Sequence, residues 1–337
     1  MPILTHPSLS AAVSKPQDAP KDLAPENILQ LRFDHHGPVK SLLLLAALFH
    51  LAEFFICKFF FSQTSGPFFH PPVATAVAGQ ETFLYAHSII RQYGTFALQL
   101  GLINFIVATN PPKFSRFVRL LVVIELCAAA FAFAQLWRSE VPAVAMWITG
   151  LWNLMIAAGL WLFAPKETLS LPSPAAERAA MGEFNLFGLR ISGNVRYLVL
   201  KTSLLIVGLT WTLWAFGSTV FWQIGVAGIS STKGVEGDLV RAMGANDIVR
   251  NGQGLLLFAI GAVCLLASQR PAHFAAFVWF VMLQQGINFI SAVIELSFGS
   301  IAWPQFFIVA GGQAAIALYF YLLLPRGEEQ RLTQAAK

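Results

Sequence analysis

Apolar residues gather in eight long stretches that polar or proline-containing segments separate, with Pro111, Pro142 and Pro271 near their ends. A bilayer core about 30 Å thick requires about 20 apolar residues per helix. Each stretch has that length or nearly so, and the sixth is the shortest. We therefore predict an all-α integral membrane protein with eight transmembrane helices. The predicted spans cover residues 41–62, 83–108, 118–137, 143–163, 199–222, 254–268, 272–296 and 303–324.

Composition supports this interpretation. Of the 337 residues, 56% are hydrophobic and 12% are charged, and the mean hydropathy is +0.63. Soluble domains carry roughly 25% charged residues, so the apolar excess is expected to face a lipid bilayer. The net charge of +5 does not indicate nucleic acid as a partner, because the basic residues are dispersed along the chain and form no run with interleaved aromatics.

The distribution of Lys and Arg predicts the orientation. Sixteen of the 22 basic residues fall in the two termini and in the connections on the same side, whereas four fall on the opposite side and two lie inside spans. Positive residues are retained on the cytoplasmic side, so both termini are predicted to be cytoplasmic in an integral protein of the cell (inner) membrane. The polar residues 1–40 contain no apolar secretory segment, and we expect them to stay uncleaved.

A shift of 160 residues aligns the second half of the chain with the first. It pairs Gly with Gly, Pro with Pro and Phe with Phe across loops of equal length. The aligned pairs include Gly94/Gly254, Gly101/Gly261, Pro111/Pro271, Phe114/Phe274 and Phe117/Phe277. Because four helices make one unit, the two copies are predicted to have the same orientation. The predicted organisation is a tail at 1–40, repeats at 41–163 and 199–324, a cytoplasmic linker at 164–198 and a tail at 325–337.

Charged and polar side chains within spans are costly in lipid and mark candidate functional sites. On the first span, His50 and Glu53 share a face, and on the second His87 and Arg91 form part of one stripe. We predict that Glu53 pairs with Arg91, since pairing reduces the burial cost of each charge. The alternative is that this pair only fixes the packing of the two helices.

The seventh predicted span carries a stripe of five polar residues within an arc of about 120°. Its members are Gln284, Gln285, Asn288, Ser291 and Glu295. This face is predicted to contact another helix or a cavity, and hydrogen bonding between helices is the simpler alternative. In the repeat, Glu125 corresponds to Gln285 and Gln135 to Glu295, so each copy has one carboxylate and one amide at these positions. The pattern predicts a pseudo-symmetric polar lining with a carboxylate that a transporter could protonate.

No cofactor follows from the sequence. His50 and His87 could supply axial ligands to haem, but their expected depths differ by about 9 Å, which favours a hydrogen-bonded interior His. Cys57, Cys127 and Cys264 lack metal-ligand spacing, so we predict no metal site.

The four-span unit resembles the small bacterial DoxX-like membrane modules, here present twice. The resemblance depends on an Arg at the start of the second helix of each unit, followed by spaced Gly and a Pro-containing turn. These residues are Arg91, Gly94, Gly101 and Pro111 in the first unit and Arg250, Gly254, Gly261 and Pro271 in the second. It covers roughly 280 residues in outline and implies quinone-linked redox chemistry. The chain departs from the small modules by its fusion, by its tail and by lacking His50 and Glu53 in the second copy.

Three functions remain open. The first is a permease that binds a small solute between the two repeats. The second is a redox subunit or enzyme that handles a quinone or lipid and uses Glu53, His50 and His87 for proton transfer. The third is a non-catalytic assembly subunit, and either a homo-oligomer or a membrane partner is compatible with the chain. The candidate site residues are His50, Glu53, His87, Arg91, Glu125, Arg250, Gln285, Asn288 and Glu295.

Overall fold

A computed structural model describes most of the membrane part of the chain. The described residues are 36–60, 80–138, 143–166, 173–186, 189–219, 245–299 and 301–324. Side chains are not described at a few further positions inside these ranges, among them those of residues 80–90 and 245–251.

Within the described residues, eight long helices occupy the eight predicted stretches, with bounds that shift by a few residues at most ends. The largest shift is at the sixth stretch, whose helix begins nine residues earlier, at Ala245. The long helices are α1 (Gly37–Phe59), α2 (Gln80–Thr109), α3 (Ser115–Arg138), α4 (Ala143–Phe163), α6 (Gly193–Thr219), α7 (Ala245–Ser268), α8 (Ala275–Ser297) and α9 (Trp303–Leu323). A short helix, α5 (Pro174–Ala180), lies between α4 and α6.

Six of these helices are long and apolar enough to cross a membrane, so the chain is a polytopic, helical membrane protein. Their apolar parts are Gly37–Phe59, Ser115–Ala134, Met146–Phe163, Gly193–Gly217, Ala275–Ser297 and Trp303–Leu323. Helices α2 and α7 are more polar, and α7 has only a shorter apolar part, Gly252–Ser268.

Helices α2 and α7 can carry more polar residues than the other long helices because other helices contact them on several sides. They contact each other, and both contact α8; α2 also packs against α1, and α7 against α6 and α3. A helix that contacts other helices on several sides exposes little surface to lipid and tolerates polar residues. The peripheral helices show the opposite pattern: Ile148, Leu162, Leu213 and Ile308 are exposed on α4, α6 and α9, as expected of side chains that face hydrocarbon.

Four phenylalanines join the two halves of the chain at the ends of α2 and α7 and the starts of α3 and α8. Phe117 and Phe277 stack with their ring centroids 4.1 Å apart, and both side chains are fully buried. Phe114 packs edge-on against Phe277 at 5.5 Å, and Phe274 packs edge-on against Phe117 at 4.9 Å. We call this end of the bundle the linker end, because α5 lies there too.

The segment between the halves contains α5 and a two-stranded hairpin. The Ser173 hydroxyl accepts a hydrogen bond from the Ala176 N–H and caps α5, and Gly182 ends the turn after the helix with a positive φ of 60°. Strands β1 (Phe184–Leu186) and β2 (Leu189–Ile191) then pair antiparallel. The prediction of an all-α chain is therefore wrong for this segment, where an apolar patch forms a hairpin.

Buried polar groups attach this segment to the second half. Arg196 on the first turn of α6 is 1% exposed and donates hydrogen bonds to the carbonyls of Met181 at 2.6 Å and Leu324 at 3.3 Å. The guanidinium thereby ties the end of α5 to the ends of α6 and α9.

Candidate functional site

The main polar contact between the halves is an ion pair of α2 with α8. Arg91 donates two hydrogen bonds to Glu295, from Nε to Oε1 and from Nη2 to Oε2, both at 2.9 Å. Both side chains are about 95% buried, and the guanidinium also lies 4.6 Å from the centre of the Phe298 ring. This bidentate geometry is the strongest form of an arginine–carboxylate contact. It supplies a counter-charge for Glu295 within the bundle.

Hydrogen bonds continue from this pair along the α2–α8 interface toward the linker end. Thr95 and Ser291 place their hydroxyl oxygens 3.0 Å apart. The Gln99 amide then donates to Asn288 Oδ1 at 2.7 Å and its oxygen accepts from Gln284 Nε2 at 2.9 Å. The predicted polar stripe of α8 therefore faces α2, except that Gln285 donates to the Val281 carbonyl of its own helix at 3.3 Å.

Sequence reasoning missed the α2 side of this interface. Arg91, Thr95 and Gln99 are spaced four residues apart, so each is rotated only about 40° from the previous one on the helix. Thr95 is 3% exposed and Gln99 is fully buried. This spacing is visible in the sequence and could have identified the stripe.

A third charge at this interface, Lys58 of α1, was also missed. Its ammonium donates to Ser291 Oγ at 2.6 Å and lies 3.5 Å from Glu295 Oε1, with the lysine side chain fully buried. The Glu295 carboxylate thus accepts hydrogen bonds from the Arg91 guanidinium and lies beside the Lys58 ammonium. We call the set Lys58, Arg91, Ser291 and Glu295 the ionic cluster.

Glu53 does not pair with Arg91, contrary to the sequence-based prediction. Its Oε2 lies 2.7 Å from His50 Nδ1, and its Oε1 accepts a hydrogen bond from the Tyr93 hydroxyl at 3.3 Å. The physical reason is that Arg91 and Tyr93 lie on different faces of α2. Tyr93 points toward α1, whereas Arg91 points toward α8 and binds a carboxylate of the other half. Glu53 is therefore paired within the first half.

Glu125 of α3 completes a second polar group, the acid cluster of His50, Glu53, Tyr93 and Glu125. The Glu125 side chain is 3% exposed and lies near enough to His50 and Glu53 for their charges to interact. Among the hydrogen bonds and ion pairs of the described residues, none involves the Glu125 carboxyl. The acid cluster lies between α1, α2 and α3 and is separate from the ionic cluster.

Glycines let α1 and α2 approach closely enough to build this group. A Cβ added to Gly101 would lie 3.1 Å from the Ala47 carbonyl oxygen and 3.2 Å from His50 Cβ, and one at Gly94 would lie 2.8 Å from Cys57 Cβ. The close contact of the backbones holds His50 against α2.

The candidate residues thus divide between two clusters. Arg91, Asn288 and Glu295 come together at the α2–α8 interface, whereas His50, Glu53 and Glu125 meet within the first half. The side chains of His87 and Arg250 lie outside the described residues, as does that of Gln135.

A buried carboxylate at the linker end, Glu177 of α5, was not foreseen. Its side chain is fully buried and borders the Arg270 guanidinium, the Tyr197 hydroxyl and the backbone of Ala272 and His273. Burial raises the pKa of Glu177 to about 7, while Arg270 and the neighbouring donors act in the opposite direction. Polar contact of α5 with the α7–α8 turn therefore depends on a carboxyl that titrates near neutral pH.

In comparisons with known proteins, no family model, no curated protein and no solved structure matches the chain. The assignment of a function therefore depends on the two clusters and on the helices that carry them.

Proposed function

We propose that the chain is a permease-like membrane protein that binds a small hydrophilic solute between α2 and α8. The observation that carries this proposal is the ionic cluster, in which Arg91 and Glu295 pair across the two halves with Lys58 beside them. Charged side chains within a membrane bundle are costly and are typical of solute or ion pathways. Fixed charges of both signs supply partners for a polar solute that leaves water.

The proposed architecture is eight spans in two parallel four-helix repeats. Equivalent neighbours support it: α1 packs on α2 as α6 packs on α7, and α3 on α4 as α8 on α9. The phenylalanine contacts at the linker end also exchange with one another under the 160-residue shift. Such a relation corresponds to a pseudo-two-fold axis along the membrane normal.

The two proposed repeats differ in polarity at equivalent interfaces, so only one of these interfaces is suited to a hydrophilic solute. Under the 160-residue shift the α2–α8 interface corresponds to the α7–α3 interface. Four of its central polar residues have apolar counterparts: Thr95 and Gln99 correspond to Leu255 and Ala259, and Asn288 and Ser291 correspond to Ala128 and Phe131. We therefore place the solute at the polar interface and assign a packing role to the apolar one.

Membrane placement belongs to the same proposal. We place both termini in the cytoplasm and the protein in the cell membrane, from the distribution of Lys and Arg. We also propose that each half is a DoxX-like module. A quinone-linked redox role stays a prediction of the resemblance and of His50, Glu53 and His87.

Flux into proteoliposomes tests the permease. Labelled amino acids, organic carboxylates and sugars are offered to wild-type protein and to the Arg91→Ala and Glu295→Gln variants. We expect flux of one solute class to fall at least tenfold in both variants, because each loses a partner for the solute. The matched control is Glu183→Gln, which removes an exposed carboxylate paired with Arg190 on the linker. Unchanged flux in both folded variants would remove the ionic cluster from the pathway.

An assembly subunit is the second candidate, and a specific observation favours it. Several polar side chains of the α2–α8 interface already hydrogen-bond to one another, as expected where hydrogen bonds only hold helices together. This role predicts a stable protein partner after extraction in mild detergent. Purification of the chain alone or as a homo-oligomer, together with solute flux, would exclude it.

A further inference from the structure

We propose that Glu125, together with the His50–Glu53 pair, binds one exchangeable proton halfway across the membrane. We further propose that release of this proton is coupled to solute movement. Glu125 is ten residues into α3, about 15 Å from the linker end at 1.5 Å per residue, which is near the middle of a bilayer core of about 30 Å. Proton binding depends on the acid cluster alone, whereas the coupling rests on the proposed function.

The charge count of the acid cluster leads to this proposal. If Glu53 and Glu125 are ionised and His50 is protonated, two negative charges face one positive charge. His50 is 7% exposed and Glu125 is 3% exposed, so the excess negative charge is held away from water at a high energetic cost. Binding one further proton makes the cluster neutral. The bound proton comes from water and occupies a carboxyl oxygen, and its release returns it to water with no change in electrons.

The geometry indicates which carboxyl takes the proton. Both oxygens of Glu53 have partners, His50 Nδ1 at 2.7 Å and the Tyr93 hydroxyl at 3.3 Å. Within the described part of the chain, the Glu125 carboxyl makes no hydrogen bond. A carboxylate that accepts hydrogen bonds is stabilised in its charged form, so we assign the exchangeable proton to Glu125 and not to Glu53.

The other ionisable groups near the cluster do not alter this count. On α1, Cys57 and Lys58 follow Glu53, and Lys58 forms an ion pair with Glu295. On α2, Arg91 also binds Glu295. Helix α4 contains no ionisable residue, and Cys264 is the ionisable residue in the described side chains of α7 from Gly252 onward. Asp247 and Arg250, on the first turns of α7, lie outside the described side chains.

The proton site is confined to the first half. His50, Glu53 and Glu125 correspond to Thr210, Leu213 and Gln285 under the 160-residue shift, and none of these three is ionisable. Glu295, by contrast, has two cations beside it. The chain thus separates a carboxylate suited to bind protons from a carboxylate suited to bind or orient a charged solute.

Infrared difference spectroscopy across a pH change tests proton binding in the full-length protein without solute. We expect a carbonyl band of a protonated carboxyl that disappears in Glu125→Gln, shifts in Glu125→Asp and persists in the control Glu183→Gln. Acid–base titration should show one proton fewer bound per chain in Glu125→Gln. Removing the imidazolium with His50→Gln should move the midpoint of the band to higher pH, because the carboxyls lose their neighbouring positive charge.

The outcomes separate this inference from the permease. A band that persists in folded Glu125→Gln overturns the proton site. If Glu125→Gln does not fold, an unshifted band in Glu125→Asp together with an unmoved midpoint in His50→Gln overturns it. Flux that needs Arg91 but is unchanged by pH and by Glu125→Gln overturns the coupling and leaves the permease standing. A confirmed band in a protein without flux supports proton binding and overturns the permease.

Discussion

At the residue scale, the buried carboxylates differ from one another in the charged side chains that lie beside them. Glu295 accepts two hydrogen bonds from Arg91 and borders Lys58, so the protein provides its counter-charge. Glu125 is equally buried, and among the described residues its charge interacts with those of His50 and Glu53. Glu177 lies outside the spans and borders Arg270. The same side chain therefore has two cations beside it in one place and fewer charged neighbours of opposite sign in the others.

Contact of the linker helix with the second half is expected to weaken as pH rises. Burial raises the pKa of Glu177 from about 4.5 to about 7, so the docked helix holds more protons than the undocked one between these values. Docking is favoured below this window and becomes less favourable as pH rises toward 7, by up to tenfold per pH unit. Hydrogen–deuterium exchange of the α5 amides, corrected for intrinsic rates, measures this change.

The Glu177→Gln variant provides the control for the linker. It removes the titrating group but keeps the shape of the side chain, so exchange in α5 should lose its pH dependence and be slower than in the wild type above pH 7. Glu183→Gln, which changes an exposed carboxylate of the same segment, should keep the dependence. Equal pH profiles in the wild type and in Glu177→Gln would show that another group controls docking.

At the scale of elements, the sequence predicted where the helices lie along the chain better than it predicted which helices contact each other. Hydrophobic length located all eight long helices of the described residues, and six of them have the length and apolar character that a bilayer requires. The α8 stripe was recognised because several polar residues share one face. The partner of Arg91 was not, because Glu295 lies 204 residues away and no local pattern reports which helices from the two halves meet. Equally, the short segments Phe184–Leu186 and Leu189–Ile191 did not by themselves indicate that two strands pair.

Close packing of α6 and α7 is expected to depend on Gly261. A Cβ at this position would lie 2.5 Å from Thr212 Oγ1 and 2.8 Å from the Gly208 carbonyl oxygen, and the backbone cannot move aside without separating the helices. Gly261→Ala should therefore destabilise the protein by about 1–3 kcal/mol, the usual cost of overpacking. Unfolding in mixed micelles with increasing denaturing detergent measures the change in free energy.

The matched control for this packing is Gly286→Ala. Gly286 lies on α8 with open space around its added Cβ, and alanine has the better helix propensity. This variant should be neutral or stabilising by up to about 1 kcal/mol. Destabilisation of similar size in both variants would mean that the α6–α7 contact is looser than the distances indicate.

At the scale of the whole molecule, two of the contacts between the halves differ in character. The ionic cluster and its hydrogen bonds lie along α2 and α8, and the phenylalanines lie at the linker end. The polar contacts depend on charge state and are replaceable by water or solute. The aromatic contacts are apolar and fully buried, so they are expected to persist while the polar interface changes. The linker end is therefore the natural pivot for any relative movement of the halves.

Truncation of the central phenylalanines tests this view and the proposed repeat together. Phe117 and Phe277 stack on each other, and each receives an edge-on ring from the other half. Because their surroundings are equivalent, Phe117→Ala and Phe277→Ala should each cost about 3–5 kcal/mol of unfolding free energy, with similar values. The double variant should cost less than the sum, since both truncations open one shared cavity. Phe307→Ala, at a position 64% exposed on α9, should change stability little. Strictly additive costs, or costs that differ by more than about 2 kcal/mol, would contradict a shared and symmetric core between the halves.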